Sequence, residues 1–256
     1  MVQASGDHTL DLFGGRSPWA ASDWTASDDR VRGGKSQSYF ETDGKSGRFF
    51  GHLDIDTLGG AGFASQRTTH EDRTWDLSDF AGIRLKIDNA DGKKYTLILK
   101  DSLLPRNPDN GREQATTSYE YDFQTTSPAS LDHPSSTTIH IPWSSFEPTY
   151  RGRKQDDAKP LKTAHIKRLS IMMRSFFGTQ KGSFSVTISS ISAYPKSENN
   201  TTRSLPSPGI DKGAPLSRPP IGSSSGAPWR SPLTLTVAAL ATLLALHTLY
   251  RRYVKG

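Results

Sequence analysis

Apolar residues recur at every second position along most of this chain. They do so at Ile83, Leu85 and Ile87, at Tyr95, Leu97 and Leu99, and at Tyr119, Tyr121 and Phe123. The same spacing returns at Ile139, Ile141 and Trp143, at Leu169, Ile171 and Met173, and at Phe184, Val186 and Ile188. A period of two puts one face of an extended segment in a core and the other toward solvent, which a helix with 3.6 residues per turn cannot do. Two further segments, Arg48–Ile55 and Gly62–Thr68, are rich in aromatics and bounded by Gly59–Gly60 and by the charged run His70–Arg73. Short strands separated by turn residues in this way predict an all-β sandwich. In the last segment Ser189–Ser190 shifts the phase before Ile191, the mark of a β-bulge. Apolar residues at helical spacing are missing between residues 36 and 194, so only short helical turns are expected, for instance at Asp76–Phe80. Long connections are expected at Asp101–Thr116, Thr125–Ser136 and Glu147–His165, where a rigid scaffold commonly carries its binding residues.

Composition agrees with strands and turns. Only 33% of residues are hydrophobic, against 22 glycines and 16 prolines, a balance that argues against an all-α chain. There is no cysteine, which removes disulfides, thiolate metal sites and cysteine nucleophiles. The net charge of +6 lies wholly in the C-terminal tail: residues 1–195 hold 24 basic and 24 acidic side chains, residues 196–256 eight and two. A neutral body with interspersed charges offers little counterion release, so nucleic acid is not expected as a partner.

Three regions follow: a β-sandwich domain over 1–195, a disordered linker rich in Pro, Ser and Gly over 196–230, and a membrane anchor over 231–256. Residues 233–249 read LTLTVAALATLLALHTL, without a formal charge. Taken with Pro232 and on to Tyr253, the segment spans about 33 Å as a helix, enough to cross a hydrocarbon core, with residues 232–250 in the membrane. Trp229 precedes it and Tyr250, Arg251, Arg252, Tyr253 and Lys255 follow, an interfacial pattern at both ends. The first thirty residues hold Arg16 and Arg30 against five aspartates and show neither a signal peptide nor a matrix presequence pattern. The expectation is a C-terminal tail anchor with the domain facing the cytosol, leaning toward the mitochondrial outer membrane.

Reactive constellations are sparse. Gly222–Gly226 fits the G-x-S-x-G nucleophile pattern but sits in the linker, without the strand before it and helix after it that the chemistry needs. The histidines lie far apart, with no zinc spacing. Asp54 and Asp56, with Asp28 and Asp29, supply hard oxygen atoms for calcium or form a solvated acidic face, the second being the commoner arrangement. Gly33–Gly34 and Gly59–Gly60 read as turns, and Gly34-Lys35-Ser36 lacks the earlier glycine of a phosphate loop because position 29 is Asp. No enzyme, cofactor or metal is specified.

Several segments, in order, carry a resemblance: Trp24, Asp28-Asp29-Arg30-Val31, Gly33-Gly34-Lys35-Ser36, Gly62–Arg67 and Asp76–Ile83. Tyr95–Leu99, Tyr119–Phe123, Ile141–Phe146 with Arg151-Gly152, and the closing Gly182–Ile191 continue it. Together they resemble the complex I intermediate-associated protein 30 family over about residues 10–194, with Arg32 where that family usually shows an apolar residue. The resemblance implies a galactose-binding-like jelly-roll β-sandwich. It also implies a non-enzymatic, chaperone-like role in assembling mitochondrial respiratory complex I, by binding its subunits or assembly intermediates. Asp28, Asp29, Arg30, Gly33, Gly34, Arg67, Arg151 and Gly152 are the candidate contact face at the loop ends, or else hold those loops in shape. The alternative is a carbohydrate- or ligand-binding module on the cytosolic face of a membrane, for which Trp143 and Tyr150 are the candidate exposed aromatics.

Overall fold

A computed structural model of the chain describes residues 9–70, 72–125 and 136–196. The chain divides into units Met1–Arg203 and Ser204–Gly256, the second entirely outside the described residues. The expected linker beyond Lys196, the expected anchor at 231–256 and most of the Thr125–Ser136 connection also lie outside them. Among the described residues no helix is long and apolar enough to cross a membrane.

The described residues form strands β1 (Leu10–Gly14), β2 (Trp24–Ala26), β3 (Gln37–Thr42), β4 (Gly47–Leu53), β5 (Phe63–Thr68), β6 (Phe80–Ala90) and β7 (Lys94–Lys100). They continue with β8 (Ser118–Gln124), β9 (Thr137–Pro142), β10 (Glu147–Tyr150), β11 (Arg153–Lys154), β12 (Arg168–Arg174) and β13 (Gly182–Pro195). One sheet runs β3-β4-β13-β6-β9, with β1 also paired to β13; the other runs β11-β10-β8-β7-β12-β5-β2. The pairings are antiparallel, and the fold is an all-β sandwich.

The apolar halves of the alternating segments meet between the sheets. Ile83, Leu85 and Ile87 of β6 and Val186, Ile188 and Ile191 of β13 come from one sheet, Leu97 and Leu99 of β7 and Leu169, Ile171 and Met173 of β12 from the other. The expected bulge is present. Ile188 pairs with Ile87 and Ser190 with Lys86, so Ser189 is the extra residue, and its insertion lets Ile188 and Ile191 both face the core although three apart. Phe13, Trp19, Trp24, Phe40 and Trp75 pack in an aromatic cluster, with Phe40 and Trp24 stacked at 4.8 Å and Trp19 donating its indole N–H to the Ser189 carbonyl.

Several local expectations are corrected. β9 ends at Pro142, and Trp143 opens a short 3₁₀ turn instead of closing the strand. Its ring packs against the core and its Nε1–H donates to the Phe80 carbonyl at 2.8 Å, so Trp143 is not a free loop aromatic. Asp76–Phe80 is a turn closed by Phe80 N–H to the Leu77 carbonyl, with Ser78 N–H and Oγ–H donating to Asp76, not a helix. The Glu147–His165 connection contains the hairpin β10–β11, whose two turn residues, Arg151 and Gly152, have φ of 52° and 77°. Two consecutive left-handed residues make the turn that matches strand twist.

Candidate functional site

Asp28 and Asp29 lie inside the protein. The Asp29 carboxylate has no exposed surface and accepts from Ser36 N–H at 3.1 Å, Ser36 Oγ–H at 2.7 Å and Phe63 N–H at 3.1 Å. Asp28 repeats the pattern one step along, accepting from Ser38 N–H at 3.0 Å, Ser38 Oγ–H at 2.6 Å and Ser65 N–H at 2.9 Å. Ser36 and Ser38 belong to the approach to β3 and to β3 itself, in one sheet; Phe63 and Ser65 belong to β5, in the other. The two acids therefore latch the sheets together. Buried carboxylates stay charged only when hydrogen-bonded in this way.

The glycine pair serves the latch. Gly33 has φ of 83° and caps the 3₁₀ turn Asp29–Arg32, while a side chain on Gly34 would put its Cβ 2.3 Å from the Asp29 carboxyl carbon. Gly62 has the same kind of duty, its Cβ position lying 2.2 Å from the Asp54 carbonyl oxygen. Asp54 itself accepts from Thr57 N–H in the turn after β4, and among the described residues no group of His, Asp and Glu is placed to hold a metal ion.

The outward face of the seven-stranded sheet carries a cleft of about 1720 Å³. Of the candidate contact residues, Asp28, Arg30, Arg67, Arg151 and Gly152 line it; Asp29, Gly33 and Gly34 do not. Its floor is the outward half of the alternation whose inward half fills the core: Arg67 on β5, Met172 and Arg174 on β12, Ile98 and Lys100 on β7, Glu120 and Asp122 on β8. Phe63, on the same outward face of β5 as Arg67, also lines the cleft.

Charges on the floor are paired. Glu113, from the 101–117 connection, bridges two guanidinium groups, Oε1 to Arg67 Nη2 at 2.7 Å and Oε2 to Arg168 Nη1 at 2.8 Å. Arg174 bridges two carboxylates, Nη1 to Glu120 and Nη2 to Asp122, both at 2.6 Å. Thr149 Oγ1–H donates to Glu120 and Thr96 Oγ1–H to Asp122. At the rim the order reverses: Phe177 is fully exposed, Val31 largely so, and Phe176 and Phe177 are held at φ of 44° and 59°. Arg174 and Lys94 both lie over the Phe176 ring, at 4.7 and 4.8 Å.

A family model described as Complex I intermediate-associated protein 30 matches residues 13–188. The chain belongs to the complex I intermediate-associated protein 30 family. A Schizosaccharomyces pombe (strain 972) protein, Uncharacterized protein C9E9.15, is 43% identical over 201 residues, spanning 77% of this chain and 89% of its own length. Among solved structures, the family 11 carbohydrate-binding module of the cellulosomal cellulase Lic26A-Cel5E of Clostridium thermocellum is similar at 17% identity and a TM-score of 0.46, over 76% of this chain and 97% of that one. The Clostridium thermocellum family 11 module in complex with a β-1,3-1,4-mixed-linked tetrasaccharide is similar at 16% identity and a TM-score of 0.42, over 73% of this chain and 94% of that one.

The complex I intermediate-associated match starts within β1 and ends within β13, so it takes in the aspartate latch, Arg67, Glu113, the Arg151–Gly152 turn and Phe177. Arg32, where the family usually shows an apolar residue, lies over the Phe63 ring at 5.4 Å, on the cleft wall. Several residues of the cleft and its ion pairs escape sequence reading: Lys100, Glu113, Glu120, Asp122 and Arg174, with Arg168 buried behind Glu113. The signal that marks most of them is their position between the apolar residues of strands already identified.

Lys100 is the most perturbed of these. Its ammonium donates to the Thr116 carbonyl and hydroxyl at 3.1 and 3.0 Å. Burial, then the neighbouring Arg168 charge, pulls its pKa from 10.5 to about 8, while Glu113, Glu120 and Asp101 act the other way. Between those two values the unfolded chain holds a proton that the folded chain has released, so stability rises with pH across that window. Urea unfolding at about pH 7 and about pH 10 is expected to show the wild-type chain gaining about 2 kcal/mol relative to Lys100→Met. Parallel pH profiles for the two chains would show that Lys100 titrates normally.

Proposed function

We propose that this chain is a non-enzymatic, chaperone-like assembly factor that binds protein subunits or assembly intermediates of respiratory complex I at the cleft of its seven-stranded sheet. Family membership supports the complex I context and an association with mitochondria. The sandwich is read as a galactose-binding-like jelly roll, tethered by the linker over 196–230 to a membrane anchor at 231–256, with the domain facing the cytosol.

The observation that carries the protein-binding reading is Phe177. It gains nothing from burial in the free chain and sits in a left-handed conformation that L residues rarely adopt. Backbone strain and an exposed ring each cost the isolated fold, and residues kept at such a cost cluster at contact sites. The cleft floor carries ion pairs between charged side chains. The carboxylates here are committed to arginines as bridges, not set as an acid and base facing a substrate.

Phe177→Gly separates fold from function. Relieving the left-handed conformation is expected to stabilise the chain by about 1 kcal/mol, since no burial is lost. Loss of a large apolar anchor is expected to weaken capture of the partner at least tenfold. Affinity capture of the tagged full-length chain from mitochondria, read by mass spectrometry, tests this. Equal recovery of complex I subunits by the variant, or recovery of none by the wild type, would reject the reading.

A further inference from the structure

Three cations stand side by side on the outward face of the seven-stranded sheet, Arg67 and Lys100 lining the cleft and Arg168 buried beside them. Arg168 on β12 is directly opposite Lys100 on β7, and Arg67 on β5 is opposite Ser170, two residues from Arg168 on the same face. Like charges placed opposite each other across strands destabilise a sheet, and Arg168 is only 6% exposed, so water does little to relieve them. The carboxylate that reaches both arginines comes from none of the strands. It is Glu113, and it straddles the two guanidinium groups with one oxygen on each.

Beyond Glu113, the segment is held to the body near its end, where Lys100 donates to the Thr116 carbonyl and hydroxyl and Thr117 Oγ1–H donates to Gln155. Residues 104–106 and 108–114 are exposed. The tip is tied to itself, by Gly111 N–H to the Asn107 carbonyl, Asn107 N–H to the Arg112 carbonyl and Gln114 Nε2–H to the Pro105 carbonyl. Lifting residues 104–114 would break both Glu113 ion pairs, and all but Asn107 of these residues are already exposed.

We propose that Arg67, Arg168 and Lys100 form a receptor for a glutamate or aspartate side chain on an acidic peptide segment of the partner, and that Glu113 occupies this receptor in cis in the free protein. The inference rests on the cleft being the protein-binding face. Two guanidinium groups, each making a charge-assisted hydrogen bond to one oxygen of the same carboxylate, recognise it as a carboxylate, so the exchange replaces one carboxylate by another. Lys100 stands beside Arg168, and burial first, then the Arg168 charge, lowers its pKa. Phe177 and Val31 line the same cleft, which suits a segment carrying apolar as well as acidic residues.

The test uses the full-length chain in neutral detergent and a fluorescein-labelled dodecapeptide of alternating Glu and Phe with Gly and Ser spacers, against its Gln counterpart. Fluorescence polarisation is expected to show Glu113→Gln binding the Glu peptide about tenfold more tightly than wild type, because the competing side chain is gone, with no gain for the Gln peptide. Adding Arg67→Gln is expected to abolish the gain. Should that double variant fail to fold by circular dichroism, hydrogen exchange in the wild type takes its place, and residues 104–115 are expected to exchange faster when the Glu peptide is saturating. An unchanged affinity in Glu113→Gln, an equal gain for both peptides, or unchanged exchange would each overturn the receptor. If Glu113→Gln is unchanged while Phe177→Gly still loses the partner, the receptor fails and the protein-binding cleft stands. If Phe177→Gly captures the partner normally, the cleft reading fails first.

Discussion

Asp29→Ala is expected to lower the stability of the sandwich by about 3–5 kcal/mol, among the largest effects of any single change outside the apolar core. The carboxylate is fully buried and holds three donors, Ser36 N–H, Ser36 Oγ–H and Phe63 N–H. Removing it strands two backbone N–H groups from opposite sheets, each costing about 1–3 kcal/mol. Gly34→Ala reaches the same latch from behind. Its Cβ would sit 2.3 Å from the Asp29 carboxyl carbon, so the carboxylate must leave its donors, and a loss of about 2–4 kcal/mol is expected. The decisive measurement is the double variant. Once the Asp29 side chain is gone the Cβ on residue 34 has room, so Asp29→Ala with Gly34→Ala is expected to cost no more than Asp29→Ala alone. Urea unfolding of the four chains measures this. Additive losses would mean that the glycine and the aspartate do not share one constraint.

That coupling also marks how far the sequence can be read. The apolar triplets and the Ser189 bulge were legible because a core residue needs only the right period. β1, β2, β3, β10 and β11 were not, since edge and near-edge strands with polar or interrupted patterns lack that period. Arg151–Gly152, candidates for contact or for shaping their loop, are the two left-handed residues of a hairpin turn and also line the cleft; Gly after a polar residue was the available signal for the turn. For Gly33 the turn reading suffices. For Gly34 it does not, because the reason lies in Asp29 and its partners on two strands distant in sequence. Asp28 and Asp29 were readable as exposed ligands because acids usually are exposed; no local pattern announces a donor set supplied by Ser36, Ser38, Phe63 and Ser65. The cleft floor was half legible: the alternation says which residues face outward but not that a loop will fold a carboxylate back onto them.

Arg174→Met is expected to cost about 3–4 kcal/mol, and the reason decides how it can be repaired. Arg174 sits between Glu120, nearly buried, and Asp122, more open to water. Truncating the arginine leaves the Glu120 charge, among the described residues, with the Thr149 hydroxyl and the neighbouring Lys100, a larger penalty than the net worth of the original pair. If desolvation is the dominant cost, Arg174→Met with Glu120→Met should recover most of the loss, because two apolar side chains of similar volume need no partner, and Asp122 retains Thr96 and solvent. The buried Nε of Arg174, which has no hydrogen-bond partner, points the same way, since the native network is itself incompletely satisfied. The Phe176–Phe177 turn should stay in place in the double variant. Thr179 N–H and Gln180 N–H bond the Ser175 carbonyl, Gln180 Nε2–H bonds the Lys94 and Arg174 carbonyls, and Lys94 still lies over the Phe176 ring. Stability close to wild type with undiminished partner capture would assign the Glu120–Arg174 pair to the scaffold. Recovered stability with lost capture would instead place these charges among the groups the partner reads.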